Sequence, residues 1–249
     1  EAENKLLKIS SEKVEDQVNK IESVASPKNS WTDTLVLKGD LRYRYENIDA
    51  ERSDTRERNR IRARVALTAK PADNLEVGIG LASGGADPVS TNQTLGSAGS
   101  TKGINLDLAY FKWQAAPGFN LIGGKMENIW YQPGGHGLIW DGDYRPEGFS
   151  LSYDKSSLFV NAGLHFLESD TRVGNTKIVY GLQSGLQSET SLGKLVVGVS
   201  IFDISSEGRP VFFGDDDDFF GNSFTCADPT NLSTCTYNND FSEIEVFAQ

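Results

Sequence analysis

Polar and apolar residues alternate along residues 56–70. Arginine occupies every even position from Arg56 to Arg64, and apolar residues occupy the odd positions from Ile61 to Ala69. A period of two places the two sets on opposite faces of a β-strand, whereas a helix would spread the arginines around its axis. The pattern therefore predicts a strand with one cationic face and one apolar face.

The same alternation recurs downstream and predicts ten strands in an all-β, antiparallel fold. The predicted strands span residues 34–46, 58–69, 75–83, 105–114, 119–126, 148–153, 158–167, 177–187, 194–204 and 241–249. Two architectures fit such strands. In a soluble sandwich the apolar face forms the core, whereas in a transmembrane barrel it meets lipid and the arginines line a wet lumen.

The lengths of the predicted connections distinguish between these architectures. The connections at 46–57, 84–104, 127–147 and 205–240 are long, the one at 168–176 is of medium length, and those at 70–74, 115–118, 154–157 and 188–193 are short. Because the two kinds alternate, all the long loops lie at one end of the strands, which is typical of an outer-membrane barrel. The pattern favours a transmembrane, up-and-down β-barrel of about ten strands over a soluble sandwich.

Aromatic residues support the barrel interpretation. One group falls where the strands meet the long loops and comprises Tyr43, Tyr45, Phe149, Phe166, Phe202 and Phe241. A second group falls near the short turns and comprises Trp31, Trp113, Phe119 and Tyr153. Two such belts are typical of the two interfaces of a bilayer, although aromatic residues are also common in strands generally.

Residues 1–30 differ from the rest of the chain because they are charged and lack glycine. Leu7, Val14 and Ile21 recur every seven residues and predict a short α-helix. This seam fits self-association into a coiled coil as well as it fits an amphipathic leader. We therefore divide the chain into this helix and a barrel domain over residues 31–249.

Composition narrows the function. The net charge of −11 argues against a nucleic-acid partner, which requires a basic surface. With 38% hydrophobic residues, no run approaches the roughly 18 apolar residues of a transmembrane helix, but a barrel strand needs only about 9–11 residues. No phosphate-binding loop, serine nucleophile motif or metal-ligand spacing is present in the sequence, so we expect no cofactor.

The polar face supplies the candidate pore-lining residues. They are Lys38, Asp40, Arg42, Arg44, Arg58, Arg60, Arg62, Arg64, Glu76 and Asp107. Guanidinium groups stay charged at any working pH and present fixed donors to carboxylate or phosphate groups. Because arginines on adjacent strands repel one another, we expect acidic partners and place Asp40 across from Arg62. The wall predicts an anion preference or a mixed constriction, and the alternative is a solvated face without a role in selectivity.

Several segments resemble a family of bacterial outer-membrane proteins described as putative porins. They are residues 37–46, the arginine-rich second strand, and residues 87–95, 124–126 and 140–148, within a similar region of about residues 31–205. The resemblance implies an outer-membrane channel in a bacterium with two membranes. Because the family's chains are usually longer and the last predicted strand ends at Gln249 rather than at an aromatic residue, we expect an incomplete chain from a barrel of more than ten strands. A closed ten-stranded barrel is the alternative.

The loop after the fifth predicted strand is a candidate constriction. Its candidate residues are Trp130, His136, Asp141, Asp143 and Arg145, and residues 133–135 supply a Pro-Gly-Gly bend. In general-diffusion porins the loop at this place in the chain folds inward and narrows the pore. An ordinary external loop is an equal alternative, and the polar loop at residues 84–104 is an equal candidate to fold inward.

Two further features lie in the loop at residues 205–240. Cys226 and Cys235 are close in the sequence and, in an oxidising compartment, predict a disulfide. Four adjacent carboxylates are a candidate calcium site, although a solvated acidic patch is favoured because their spacing is not that of an EF-hand. These are Asp215, Asp216, Asp217 and Asp218.

Together these observations predict a porin for passive diffusion of small hydrophilic solutes or ions. We expect the barrel in outer-membrane lipid, the N-terminal helix in the periplasm, the long loops outside the cell, and a homo-oligomer that by analogy is a trimer. We expect no enzymatic activity. The alternatives are a docking barrel for a periplasmic or electron-transfer partner and a ten-stranded barrel hydrolase, for which His136 and His165 are the only histidines.

Overall fold

The computed structural model describes residues 31–85, 87–135, 138–169, 177–191, 193–204, 206–210, 219 and 221–249. The predicted N-terminal helix lies outside these residues. The fold is almost entirely β-structure, and its helices are four single 3-10 turns, at Trp31–Thr34, Ser97–Gly99, Pro133–Gly135 and Leu232–Thr234. Within this part of the chain, no helix has the length and hydropathy needed to span a membrane.

The described residues form thirteen strands. They are β1 (Val36–Ile48), β2 (Arg56–Ala72), β3 (Leu75–Ser83), β4 (Gln93–Thr94), β5 (Ile104–Ala116), β6 (Phe119–Lys125), β7 (Glu147–Lys155), β8 (Leu158–Glu168), β9 (Lys177–Thr190), β10 (Gly193–Ile204), β11 (Phe224–Cys226), β12 (Cys235–Tyr237) and β13 (Phe241–Ala248). Ten of them correspond to the ten strands predicted from the alternating pattern. The other three, β4, β11 and β12, have two or three residues each, too few for a period of two to be visible.

The strands pair with their neighbours in chain order. The main sheet runs β1-β2-β3-β5-β6-β7-β8-β9-β10-β13, and β4 is added beside β2. All pairs are antiparallel, which confirms the all-β, up-and-down arrangement. β1 and β13 are the two ends of this order, and β11 and β12 form a separate hairpin.

The two faces of the sheet differ in exposure in the sense expected of an inverted sheet. Val65 and Leu67 on β2 are 43% and 39% exposed, whereas the side chains of Arg60, Arg62 and Arg64 on the opposite face are 14–24% exposed. A water-soluble sheet buries its apolar face instead. We call the apolar side the outer face and the arginine side the inner face.

The sheet curves around the loop that follows β6. This inner loop, residues 126–146, packs Trp140 against Phe202 of β10 with ring centroids 5.2 Å apart, and against Tyr144 at 5.4 Å. Asp143, next to Tyr144, contacts Arg64 of β2 at 3.2 Å. Along a flat sheet β2 and β10 would be seven strand spacings, roughly 34 Å, apart. The inner face is therefore concave and wraps the inner loop.

Two aromatic residues of the predicted outer belt were assigned to the wrong face. Phe241 of β13 pairs with Ile204 of β10 on the inner face, and its ring packs against that of Tyr237 with centroids 5.8 Å apart. Phe202, expected in the outer belt at the long-loop end, is 1% exposed and packs on the inner face between Trp130 and Trp140. Phe202, Val196 and Ser200 are separated by even numbers of positions in β10, so all three side chains lie on the same face of the strand. The alternation of β10 therefore already indicated that Phe202 does not lie on the outer face. Phe149, by contrast, is 50% exposed on the outer face.

Candidate functional site

The register of β1 on β2 places arginines directly opposite one another. Arg42 pairs with Arg62 and Arg44 with Arg60, while Asp40 pairs with Arg64. Opposite side chains on one face of an antiparallel pair are neighbours, and like charges there are destabilising. The hairpin therefore depends on negative groups brought to it from elsewhere.

Two carboxylates of β1 neutralise part of this wall. Asp40 accepts hydrogen bonds from Arg64 Nε at 2.7 Å and from Arg62 Nε at 3.0 Å. The expectation that Asp40 lies across from Arg62 was wrong in register, since its direct neighbour is Arg64 and Arg62 reaches it diagonally. Glu46 forms ion pairs with Arg44 and Arg58 and lies 4.0 Å from Arg60.

Two of the long loops, the loop between β3 and β5 and the inner loop, lie on the inner face. Asn92, in the loop between β3 and β5, accepts from Arg42 Nη2 at 2.7 Å through its side-chain oxygen and from Arg60 Nη2 at 3.2 Å through its carbonyl. β4 of the same loop pairs with Arg60 and Ile61 of β2. This part of β2 lies beyond Arg64, the last residue on this side of β2 that pairs with β3. Sequence reasoning allowed this loop to fold inward but missed Asn92, because no local pattern marks it.

The inner loop is joined to the arginine wall through Asp143. Its Oδ1 lies 3.2 Å from Arg64 Nη1 and 3.8 Å from Arg62 Nη1. Arg145 lies 3.4 Å from Asp107 of β5 and donates to the carbonyl of Gly142 at 3.1 Å. The inner loop thus forms ion pairs with β2 through Asp143 and with β5 through Arg145.

A buried polar chain holds the other end of the inner loop. Gln183 of β9, with an exposure of 0%, accepts from the backbone N–H of Tyr131 at 2.7 Å and donates to the carbonyl of Tyr131 at 3.0 Å. It also donates to Ser200 Oγ at 3.0 Å, and Ser200 donates to Glu245 at 2.9 Å. Asn161 donates to Gln183 at 3.1 Å. Side chains from four neighbouring strands, β8, β9, β10 and β13, therefore form one hydrogen-bond network that holds the backbone of Tyr131.

Aromatic packing reinforces this attachment. Trp130, Trp140, Val179 and Phe202 form a buried cluster between the loop and β9–β10. A Cβ on Gly181 would lie 2.6 Å from the ring of Trp130, so glycine is needed there for the ring to approach the strand. Tyr144 stacks on the cluster, and burial, helped by the charge of Glu147, raises the pKa of its hydroxyl to about 12.

His165 lies under this cluster rather than in an accessible position. The side chain has an exposure of 0%, contacts Ser150 Oγ through Nε2 at 2.9 Å, and its ring centroid is 5.9 Å from that of Trp130. A serine beside a histidine is the beginning of a nucleophilic pair, but here both groups are covered by Trp130 and packed strands. The geometry gives no support to a hydrolase.

The remaining candidates fall in different places. Glu76 accepts from the hydroxyl of Tyr110 at 3.0 Å, and Lys38 is exposed. Asp141 does not reach the wall, because it is exposed and accepts the N–H of Asp143 at 2.7 Å within a turn.

His136 and residues 215–218 lie outside the described residues, and among those described no group of three or more potential metal ligands is found. Cys226 and Cys235 are joined by a disulfide that links β11 to β12.

Open space remains along the β2–β3–β5 wall. A cavity of about 260 Å³ and another of about 210 Å³ lie there, and Asp107 and Arg145 line both. Gly80 lines the smaller and Ala82 the larger, so short side chains leave room. The inner face is thus divided between a dry half on β8–β10, filled by the loop, and an open half with charged walls.

The attachment of the inner loop yields a prediction for Gln183→Leu. Removal of the amide leaves the N–H and carbonyl of Tyr131 without their partners, at a cost of about 1–3 kcal/mol per buried group. We expect the loop to detach and the tryptophan emission to shift to longer wavelength, because Trp130 and Trp140 become hydrated. Emission spectra of the purified protein in detergent measure this.

Gln187→Leu is the matched control. Gln187 lies on the same strand and bonds Asp154 at 3.1 Å, away from the loop. Equal spectra for the two variants would show that Gln183 does not hold the loop.

Comparison with known proteins agrees with this geometry. A family described as "Putative porin" matches residues 47–209, more than half of the chain. The matched region spans the arginine strand, both loops on the inner face and the strands β3–β10. No curated protein matches the chain. The chain belongs to the putative porin family.

Proposed function

We propose that this chain forms a water-filled channel in a bacterial outer membrane for passive diffusion of small hydrophilic solutes or ions. The observation that carries the proposal is the inverted sheet. Its apolar residues are exposed on the outer face, while its arginines are partly buried on a concave inner face. This distribution suits lipid outside and water inside, and the family points to the same environment.

We infer that the sheet closes into a barrel, either directly or through further strands. The outer residues of the end strands are the most exposed of the sheet, with Leu41 of β1 at 79% and Val246 of β13 at 81%. In lipid the unpaired backbone groups of two sheet edges would each cost several kcal/mol. Barrel closure removes both edges, and β1 and β13 run antiparallel as such pairing requires.

The solute path in this proposal follows the open half of the inner face. It leads past Asp107 and Arg145, where the two cavities meet, to a third cavity of about 190 Å³ near the short turns, lined by Glu76 and Lys112. The inner loop narrows this path because it fills the other half. The long loops would face outward from the cell and the predicted N-terminal helix would lie in the periplasm.

Single-channel recording in a planar lipid bilayer tests the proposal directly. We expect discrete conductance steps from the purified protein in KCl, because the open half of the inner face carries cavities with charged walls. Heat-denatured protein in the same detergent is the control. The absence of steps from folded protein would overturn the channel and leave a structural barrel.

The arginine wall yields a second prediction. In a KCl gradient we expect a reversal potential that indicates anion preference, because arginines outnumber the carboxylates on this wall. Arg60→Ala combined with Arg62→Ala should move the reversal potential toward zero. Arg52→Ala combined with Lys155→Ala removes the same charge from exposed positions in or next to turns, outside this wall, and should change it little, since salt screens charges beyond about 8 Å. Equal shifts for both pairs would exclude a specific role for the wall.

The orientation of the sheet gives a third prediction. Leu67→Arg places a charge on the outer face and should destabilise the protein in lipid vesicles by up to about 4 kcal/mol, depending on membrane depth. Thr68→Arg, one residue further on the inner face, should cost much less because that side chain meets water. Urea unfolding of both variants in vesicles measures the difference. A smaller loss for Leu67→Arg would contradict the proposed orientation.

The proposed oligomer is a trimer, supported by analogy with porins and by the apolar seam of residues 1–30. Cross-linking of the whole chain and of a form without these residues checks it. We expect trimers from the whole chain and fewer from the shortened one if the seam contributes. Monomers from both would refute the oligomer.

A further inference from the structure

We propose that Arg42, Arg44 and Arg60, together with Asn92, form a binding site for a small oxyanion of the size of phosphate. The inference rests on the proposed channel, in which such an anion would be a preferred solute. It concerns one place on the arginine wall, the segment beside the loop between β3 and β5, rather than the wall's overall charge.

The three arginines converge because of strand geometry. Arg44 and Arg60 are direct cross-strand neighbours, and Arg42 lies two residues from Arg44 on the same face of β1. Opposite Cβ atoms in such a pair are about 4.5–5.5 Å apart and diagonal ones somewhat more. Three guanidinium groups can therefore reach a single tetrahedral anion, which offers each of them an oxygen.

Asn92 closes the site without supplying charge. It contacts Arg42 and Arg60 through its two oxygens, at 2.7 and 3.2 Å, and its own amide nitrogen donates to Ser90 at 3.1 Å. A carboxylate at this position would have neutralised the arginines, as Asp40 does for Arg62 and Arg64. The loop instead orients the two guanidinium groups through Asn92 without adding a negative charge at this position.

The hydrogen-bonding capacity of these arginines is incompletely used. The Nε–H groups of Arg42, Arg44 and Arg60 are buried and have no acceptor among the described residues. Arg42 also has no carboxylate within ion-pair distance in this part of the chain. Buried charged donors are costly unless they are paired, so an acceptor of negative charge would be bound favourably.

The local charge balance indicates that the ligand is an anion. The inner face of the β1–β2 hairpin carries the ammonium group of Lys38 and seven guanidinium groups, Arg42, Arg44, Arg56, Arg58, Arg60, Arg62 and Arg64. Four carboxylates act on them, Asp40, Glu46, Asp143 and Asp87. The positive groups therefore outnumber the carboxylates, whereas the neighbouring Lys125–Glu147 and Arg145–Asp107 pairs are neutral. This excess favours an anion as the ligand.

The site faces away from the lipid-facing side of the sheet and is covered by a loop. A lipid phosphate in the surrounding bilayer therefore cannot reach it, and the ligand is a dissolved anion. Inorganic phosphate is a suitable probe because it is largely divalent just above neutral pH and has four acceptor oxygens.

Phosphorus NMR of inorganic phosphate, with the whole purified protein in a non-phosphate detergent, tests the site. We expect the phosphate line to be broadened by the unchanged protein. Asn92→Asp should abolish the broadening, because it puts a carboxylate between Arg42 and Arg60 while every arginine is retained. That substitution adds ion pairs, so it should not impair folding. Arg42→Gln should weaken phosphate binding about tenfold, since it removes one charge-assisted contact.

Ser100→Asp is the matched control. It adds the same charge to the same loop at an exposed position and should leave the broadening unchanged. Equal loss in Asn92→Asp and Ser100→Asp, or no broadening by the unchanged protein, would overturn the site.

Bilayer recording separates this result from the channel proposal. A protein that conducts KCl but does not broaden the phosphate line overturns the site and leaves the channel standing. A protein that broadens the line but does not conduct supports the site and overturns the channel. If the protein both conducts KCl and broadens the phosphate line, millimolar phosphate should reduce the chloride current. In the Asn92→Asp variant phosphate should no longer reduce the current, while the current without phosphate persists.

Discussion

Like charges opposed across the β1–β2 hairpin are the constraint on which the rest of the inner face depends. Arg42 faces Arg62 and Arg44 faces Arg60 at cross-strand distance. The strands themselves supply two carboxylates, Asp40 and Glu46, which is not enough for seven guanidinium groups. Loops distant in sequence supply further partners, the carboxylate of Asp143 from one and the neutral hydrogen-bond acceptors of Asn92 from the other. The wall therefore determines where both loops lie.

The inner loop has two unlike attachments, and together they shape the lumen. At one end an ion pair joins Asp143 to the arginine wall, while at the other Gln183 and an aromatic cluster hold Tyr131 and Trp130 against β8–β10. The second attachment is buried, and Gln183 pairs with both the N–H and the carbonyl of Tyr131. Since the two ends contact opposite walls, the loop crosses the inner face and leaves open space on the side with short residues such as Gly80 and Ala82.

Much of the fold was predictable because strand alternation is a local property. Ten strands and the assignment of Val65 to the outer face and Arg62 to the inner face follow from a period of two alone. The short strands β4, β11 and β12 were missed because two or three residues show no period. The register of Asp40 was off by one pair, since the hairpin loop between β1 and β2 is long and does not fix it.

The sequence by itself determined that the sheet has one charged face and one apolar face, and the alternation of long and short connections favoured a barrel over a soluble sandwich. The sequence did not determine which residues of the inner face are exposed and which are buried. His165 and Phe202 sit on the same face as Arg60, yet they are buried because a loop remote in sequence packs on them. Only the tertiary structure decided this, since periodicity specifies the face on which a side chain lies but not what covers that face.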